Sequence, residues 1–221
     1  MGFSADLIER VGPLWRRMLE HPFLLETRDG ALPDATFARW MRQDYLFVEA
    51  AIPFMGALLA KAPAGHRKPL TDAITAFHGE LELFRERAVA QGVDLEDVAP
   101  AFVCHAYVQF LFATGALEGY AEGFTVLYGA EKAYHDSWKV VKSGIDTSSP
   151  WIGFVENWAG DAFAGWVAWL ETELDGLGAD AGPAGRERMT QLFELTVRYE
   201  IGFWELAYGR AGGWPGIEEV A

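Results

Sequence analysis

The chain has 221 residues, 51% of them hydrophobic, which is enough for one domain with a substantial core. Its 18 Lys and Arg against 32 Asp and Glu leave a formal charge of −14, which argues against nucleic acid or an anionic membrane as a partner. A single cysteine, Cys104, excludes an intrachain disulfide framework, and there is no phosphate-binding loop, dinucleotide fingerprint or zinc-type cysteine pair.

Apolar spacing predicts helices from end to end. The first, 5–20, carries Asp6, Glu9 and Arg10 among its apolar residues. It reads as an amphipathic helix and not as a signal peptide, and Asp6 occupies the Ser/Thr position that myristoylation of Gly2 needs. His21, before Pro22, is expected to cap or pack a first helical turn. Further helices are predicted at 34–59, with Pro53 kinking it, and at 69–91, 99–114, 120–142, 151–174 and 185–209. Gly- and Pro-rich stretches at 28–33, 61–69, 142–150 and 175–185 punctuate them. His66 is placed in a loop, His105 is read as a satisfied core histidine, and Cys104 as a buried inert thiol. The longest uncharged run, 101–117, is short for a membrane span and contains His105, Gln109 and Thr114. A cytoplasmic location is the default. No stretch alternates long enough for a strand, and 209–221 reads as a loose tail. The expected architecture is all-α: one helical bundle domain over 1–221, a design whose core commonly hosts ligands between facing helices.

Three carboxylates stand inside apolar arcs. In 34–59, Phe37, Met41, Phe47, Val48, Ala51 and Met55 share a side with Asp44, while Arg39, Arg42 and Glu49 face away. In 120–142, Tyr120, Phe124, Leu127, Tyr134 and Trp138 flank Glu131, with Glu122, Lys132, Asp136 and Lys139 opposite. In the last helix, Glu200 shares a face with Phe193, Val197, Ile201, Trp204 and Ala207. Desolvating even a neutral polar group without a partner costs on the order of 2–7 kcal/mol. One such acid is usually paired with a distant cation. These arcs hold no Lys or Arg, and only His135, at the edge of the Glu131 stripe, is a nearby base. Three acids meeting in one core point to a site.

Three segments, "HPFLLETRDGALPDATFARWMRQDYLF" (21–47), "YGAEKAYHDSW" (128–138) and "YEIGFWELAYG" (199–209), resemble the TenA family, also called thiaminase II. The likeness spans nearly the whole chain, and its most specific parts are Gln43-Asp44-Tyr45 and the Glu-x-x-Phe-Trp-x-x-Ala pattern from Glu200 to Ala207. The resemblance implies a haem-oxygenase-like helical fold without haem. It also implies hydrolysis of aminopyrimidines at the carbon outside the ring. By position, Asp44 matches the aspartate that holds the ring nitrogen and amino group, and Glu200 the acid/base glutamate. Phe47, Tyr107, Tyr134 and Trp158 match positions that line the pocket, where a tyrosine is the usual residue at the place of Trp158.

One departure matters. The better-known branch has a catalytic cysteine four residues before the tyrosine matching Tyr134, and that position is Ala130 here. The next residue, Glu131, resembles a second branch in which a glutamate replaces the cysteine, associated with salvage of the thiamin pyrimidine. The implied substrates are aminomethyl-aminopyrimidine and its N-formyl derivative. A carboxylate is a poor substitute for a thiolate but a sound base for water. Three buried carboxylates should not all be ionised in an empty pocket, so an amine-bearing substrate would supply counter-charge. No cofactor or metal is expected, and a homo-oligomer, dimer or tetramer, is. Two other readings stand beside this one. Glu131 with His135, and His78 with Glu82, are spaced i, i+4 and could chelate in a di-metal carboxylate oxidase, although "HGELELFRER" suits a solvated face of ion pairs. A non-catalytic pyrimidine- or thiamin-binding module is the third, favoured by the missing cysteine.

Overall fold

The structure is a computed structural model that describes residues 2–209 and Trp214. Among the described residues ten helices follow in chain order: α1 (Phe3–Arg10), α2 (Gly12–Leu19), α3 (Pro22–Arg28), α4 (Asp34–Lys61), α5 (Ala64–Gln91), α6 (Phe102–Leu117), α7 (Tyr120–Lys142), α8 (Ile152–Trp158), α9 (Asp161–Asp180) and α10 (Pro183–Leu206). Among the described residues there is no strand, and no helix is long and apolar enough to cross a membrane. The chain groups into two compact units. One comprises Met1–Ala31 and Glu118–Ile201, the other Leu32–Leu117 and the chain from Gly202 onward.

In the first unit α7 touches α2, α3, α8 and α9, and α1 lies on α9. Every residue of α7 from Gly123 to Gly129 is buried, as expected of a helix covered on all sides. Gly129 permits this against α10, since a Cβ there would stand 3.0 Å from Thr196 Cγ2 and 3.3 Å from Phe193 Cδ2. The single helix expected over 5–20 is instead two, α1 and α2, broken at Val11. Pro13 explains the break, because its ring would strike the carbonyl of Glu9 in a continuous helix. The helix expected over 151–174 likewise divides at Ala159 and Gly160 into α8 and α9. The His21 expectation holds: its Nδ1 accepts from the Phe23 N–H at 3.2 Å, capping α3, with Pro22 in the first turn.

In the second unit α4 touches both α5 and α6. The apolar set anticipated for α4, Phe37, Met41, Phe47, Val48, Ala51 and Met55, is buried throughout, each large side chain contributing about 1.5–3 kcal/mol. Trp40 joins Phe37, Phe84 and Trp204 at centroid distances of 4.9, 6.2 and 6.3 Å. α4 runs on through Pro53 to Lys61, and α5 begins at Ala64, so His66 lies in a helix and not in a loop, and Pro69 lies inside it. Gly92 ends α5 in the left-handed region at φ 65°, where Val93 N–H closes on the Ala88 carbonyl at 2.9 Å. Basic side chains meet the carbonyls at helix ends: Lys61 Nζ donates to Gly115 O at 2.6 Å and Arg39 Nη1 to Ala207 O at 3.1 Å. His105 is half-buried and not in the core, its ring 5.2 Å from that of Trp214. Trp214 also donates to Pro100 O at 3.1 Å. The rest of the stretch after Gly209 that was read as a tail lies outside the described residues.

Candidate functional site

The predicted site residues divide between the two units. Asp44, Phe47 and Tyr107 belong to the second; Glu131, Tyr134, Trp158 and Glu200 belong to the first. All are buried: Asp44 and Glu200 have no exposed surface, and Glu131 is 8% exposed. Acids are rarely this buried.

In the second unit the first half of α4 does the placing. Gln43, on the turn that carries Asp44, donates through Nε2 to the Ala99 carbonyl at 3.1 Å and accepts through Oε1 from the Ala101 N–H at 2.7 Å. This clamp fixes the segment leading into α6. Cys104, in the first turn of α6, donates to the Gln43 carbonyl at 3.5 Å, and Tyr107 follows one turn later. Its ring meets Phe47 at 4.6 Å, and Phe47 meets Phe203 at 5.4 Å. An aromatic wall therefore stands one turn beyond Asp44 on α4. Burial, and after it the charge of Asp44, pushes the Cys104 thiol from 9.0 up to about 12. The thiol is buried, as expected of an inert cysteine.

In the first unit α7 carries Glu131, Tyr134 and His135 on successive positions of its buried face. The indole Nε1 of Trp166, from α9, donates to Glu131 Oε2 at 2.9 Å, and Trp166 stacks on Trp169 at 5.2 Å with 15° between planes. Tyr134 meets Trp158 edge-on at 5.4 Å. Trp158, at the end of α8, is stacked with Trp138 at 5.1 Å and Phe154 at 5.5 Å. His135 places Nδ1 2.9 Å from the Trp158 carbonyl. A carbonyl only accepts, so Nδ1 carries the hydrogen. Glu200 sits one turn beyond Thr196, whose hydroxyl donates to Leu192 O at 2.9 Å.

In the charge-rich stretch of α5, His78 and Glu82 are exposed and Glu82 pairs with Arg85 at 2.6 Å, as a solvated face requires, whereas Glu80 is buried. Among the described residues no three His, Cys, Asp or Glu side chains are grouped so as to hold a metal ion. Two residues of consequence escaped the sequence reading. Gln43 was noted only as part of a family motif, and Trp166 was one tryptophan among nine, with nothing in the sequence to pair it with Glu131.

The sequence profile described as the TENA/THI-4/PQQC family matches residues 8–210. A solved TenA homologue from Pyrococcus furiosus superposes with a TM-score of 0.90 at 33% identity, covering 93% of this chain and all of that one. A protein from Halalkalibacterium halodurans named aminopyrimidine aminohydrolase is 26% identical over 216 residues, 94% of this chain and 96% of its own. A domain from Shewanella denitrificans described as having a haem oxygenase-like fold superposes with a TM-score of 0.75 at 15% identity, covering 93% of this chain and 91% of that domain. The all-helical, haem oxygenase-like architecture expected from the sequence is the fold of this chain.

Proposed function

The chain belongs to the TENA/THI-4/PQQC family, and from that premise we propose that it is a hydrolase of thiamin-derived aminopyrimidines, of the branch in which glutamate replaces the cysteine. The observation that carries this reading is the burial of Asp44, Glu131 and Glu200 on apolar helix faces. It supports carboxylate acid/base chemistry, because burial and neighbouring groups are what tune a carboxyl for proton transfer. The relative named aminopyrimidine aminohydrolase supports the substrate class. Ala130 at the position of the cysteine, with Glu131 next to it, supports the branch.

In this reading Asp44 holds the ring nitrogen and amino group through a charge-assisted hydrogen bond. Phe47, Tyr107, Tyr134 and Trp158 fix the ring and exclude competing water. Glu131 takes a proton from water as its oxygen bonds to the exocyclic carbon. The carbon–nitrogen bond breaks as Glu200 delivers a proton to the leaving amine, so that ammonia and the hydroxymethyl pyrimidine result. Hydrolysis of the N-formyl derivative uses the same base and acid at the formyl carbon, with formate as the product beside the free amine. The active form is a homo-oligomer.

The test is product identification by mass spectrometry. The protein is incubated separately with aminomethyl-aminopyrimidine, its N-formyl derivative and thiamin. Hydroxymethyl-aminopyrimidine or the deformylated amine, with little product from thiamin, is the expected result. Thiamin cleavage as the dominant reaction would overturn the branch, and no product from any of the three would overturn the activity.

A further inference from the structure

We propose that Trp166 is a positioning residue for the reaction, holding the Glu131 carboxylate in one orientation through its indole N–H. The proposal rests on the reading of Glu131 as the base that activates water.

Three observations carry it. The N–H···O distance of 2.9 Å from Trp166 Nε1 to Glu131 Oε2 is that of a well-formed hydrogen bond. An indole N–H donates and cannot accept, and it does not titrate, so it can orient the carboxylate without competing for the proton that the base must take. Trp166 is itself held: it stacks on Trp169 at 5.2 Å, and α9, which carries both, lies against α7, which carries Glu131. A glutamate side chain has three rotatable bonds, and its oxygens would otherwise sample several positions. A base works when its acceptor oxygen is already aimed at the water, and a misplacement of about 1 Å can cost on the order of a hundredfold. The need is specific to this branch, since the glutamate side chain reaches farther than a cysteine side chain and requires something to aim it.

The experiment removes the N–H without removing the ring. Trp166→Phe is compared with a protein carrying 3-benzothienylalanine at position 166, which keeps the bicyclic shape and puts sulfur in place of the N–H. Each replacement is made in the wild-type background and in Glu131→Gln, and turnover of aminomethyl-aminopyrimidine is measured. The expected result is a roughly 10- to 100-fold loss of kcat for both replacements with KM little changed, and no further loss from either in Glu131→Gln. A purely structural Trp166 would lower kcat by the same factor in both backgrounds, which overturns the proposal. So would full kcat in the benzothienylalanine protein. Wild-type turnover in Glu131→Gln would remove the base and the proposal together, whereas a wild-type protein that yields no product overturns the proposed activity itself.

Discussion

The Cys104 thiol donates at 3.5 Å to the carbonyl of Gln43, the residue that precedes Asp44 on α4. Burial, and after it the Asp44 charge, pushes its pKa up to about 12. A nucleophilic cysteine needs the thiolate, and reactive cysteines sit in electropositive, partly exposed surroundings. Cys104 has the opposite surroundings. Cys104→Ala is therefore expected to keep wild-type turnover, and the native protein to resist iodoacetamide until denatured. Loss of activity in Cys104→Ala without loss of stability would return the thiol to the chemistry.

The same thiol makes the fold sensitive to alkali. Its folded pKa lies above the unfolded value of 9.0. Above pH 9 the unfolded chain releases this proton and the folded one keeps it, so stability falls as pH rises, by up to about 1.4 kcal/mol per pH unit from this group alone. Burial raises Tyr120 and Tyr128 above their ordinary 10.0, with the same sign from pH 10 upward. Urea midpoints at pH 8, 9 and 10 should fall in the wild type, and fall less between 9 and 10 in Cys104→Ala. Parallel declines in the two proteins would contradict this origin.

Gln43 joins α4 to the entry of α6 through two hydrogen bonds, to Ala99 O and from Ala101 N–H. Gln43→Ala removes both bonds; the Ala101 N–H is half-buried and the exposed Ala99 carbonyl turns to water, so the loss should be about 1 kcal/mol. Because the clamp holds the segment that leads to Tyr107, the KM for aminomethyl-aminopyrimidine should also rise. A variant with an unchanged unfolding midpoint would show that water replaces the amide.

Much of this was legible in the chain. The bounds of α7 are those that periodicity predicts, because Gly119 and Ser143 flank one uninterrupted pattern. The burial of Asp44, Glu131 and Glu200 follows from their angular positions among large apolar residues. The break at Gly160 was hidden because apolar spacing continues across it, whereas the break at Val11 was marked by Pro13 and masked by the same continuity of spacing. The helix α3, with 7 residues, is too short to show a period. Trp166 and Gln43 were hidden for a different reason: their partners are on other helices, and a single sequence does not say which helices meet.

Two glycines separate packing from propensity. A Cβ at Gly129 would press on Thr196 and Phe193, both buried, whereas a Cβ at Gly79, on the exposed side of α5, meets nothing within 4 Å. Alanine gains about 1 kcal/mol over glycine in a helix, and overpacking a filled core costs about 1–3 kcal/mol. Gly79→Ala should raise the unfolding midpoint and Gly129→Ala should lower it. Equal shifts of one sign would mean that α7 and α10 adjust freely at this contact.

Glu131→Gln separates the base from the hydrogen bond it receives. The amide oxygen of glutamine can still accept from the Trp166 indole, which now stands 2.9 Å from Oε2, so local packing should persist. The amide does not accept a proton from water at neutral pH. Turnover of aminomethyl-aminopyrimidine should therefore fall by about 10²-fold or more, with the unfolding midpoint unchanged or raised, because a buried carboxylate has been replaced by a neutral group of the same shape. Substrate affinity, read by calorimetry in the slow variant, should stay near that of the wild type if Asp44 and the aromatic side chains supply the binding. A large fall in affinity with turnover preserved would assign Glu131 to recognition of the amine and leave Glu200 to handle the protons alone.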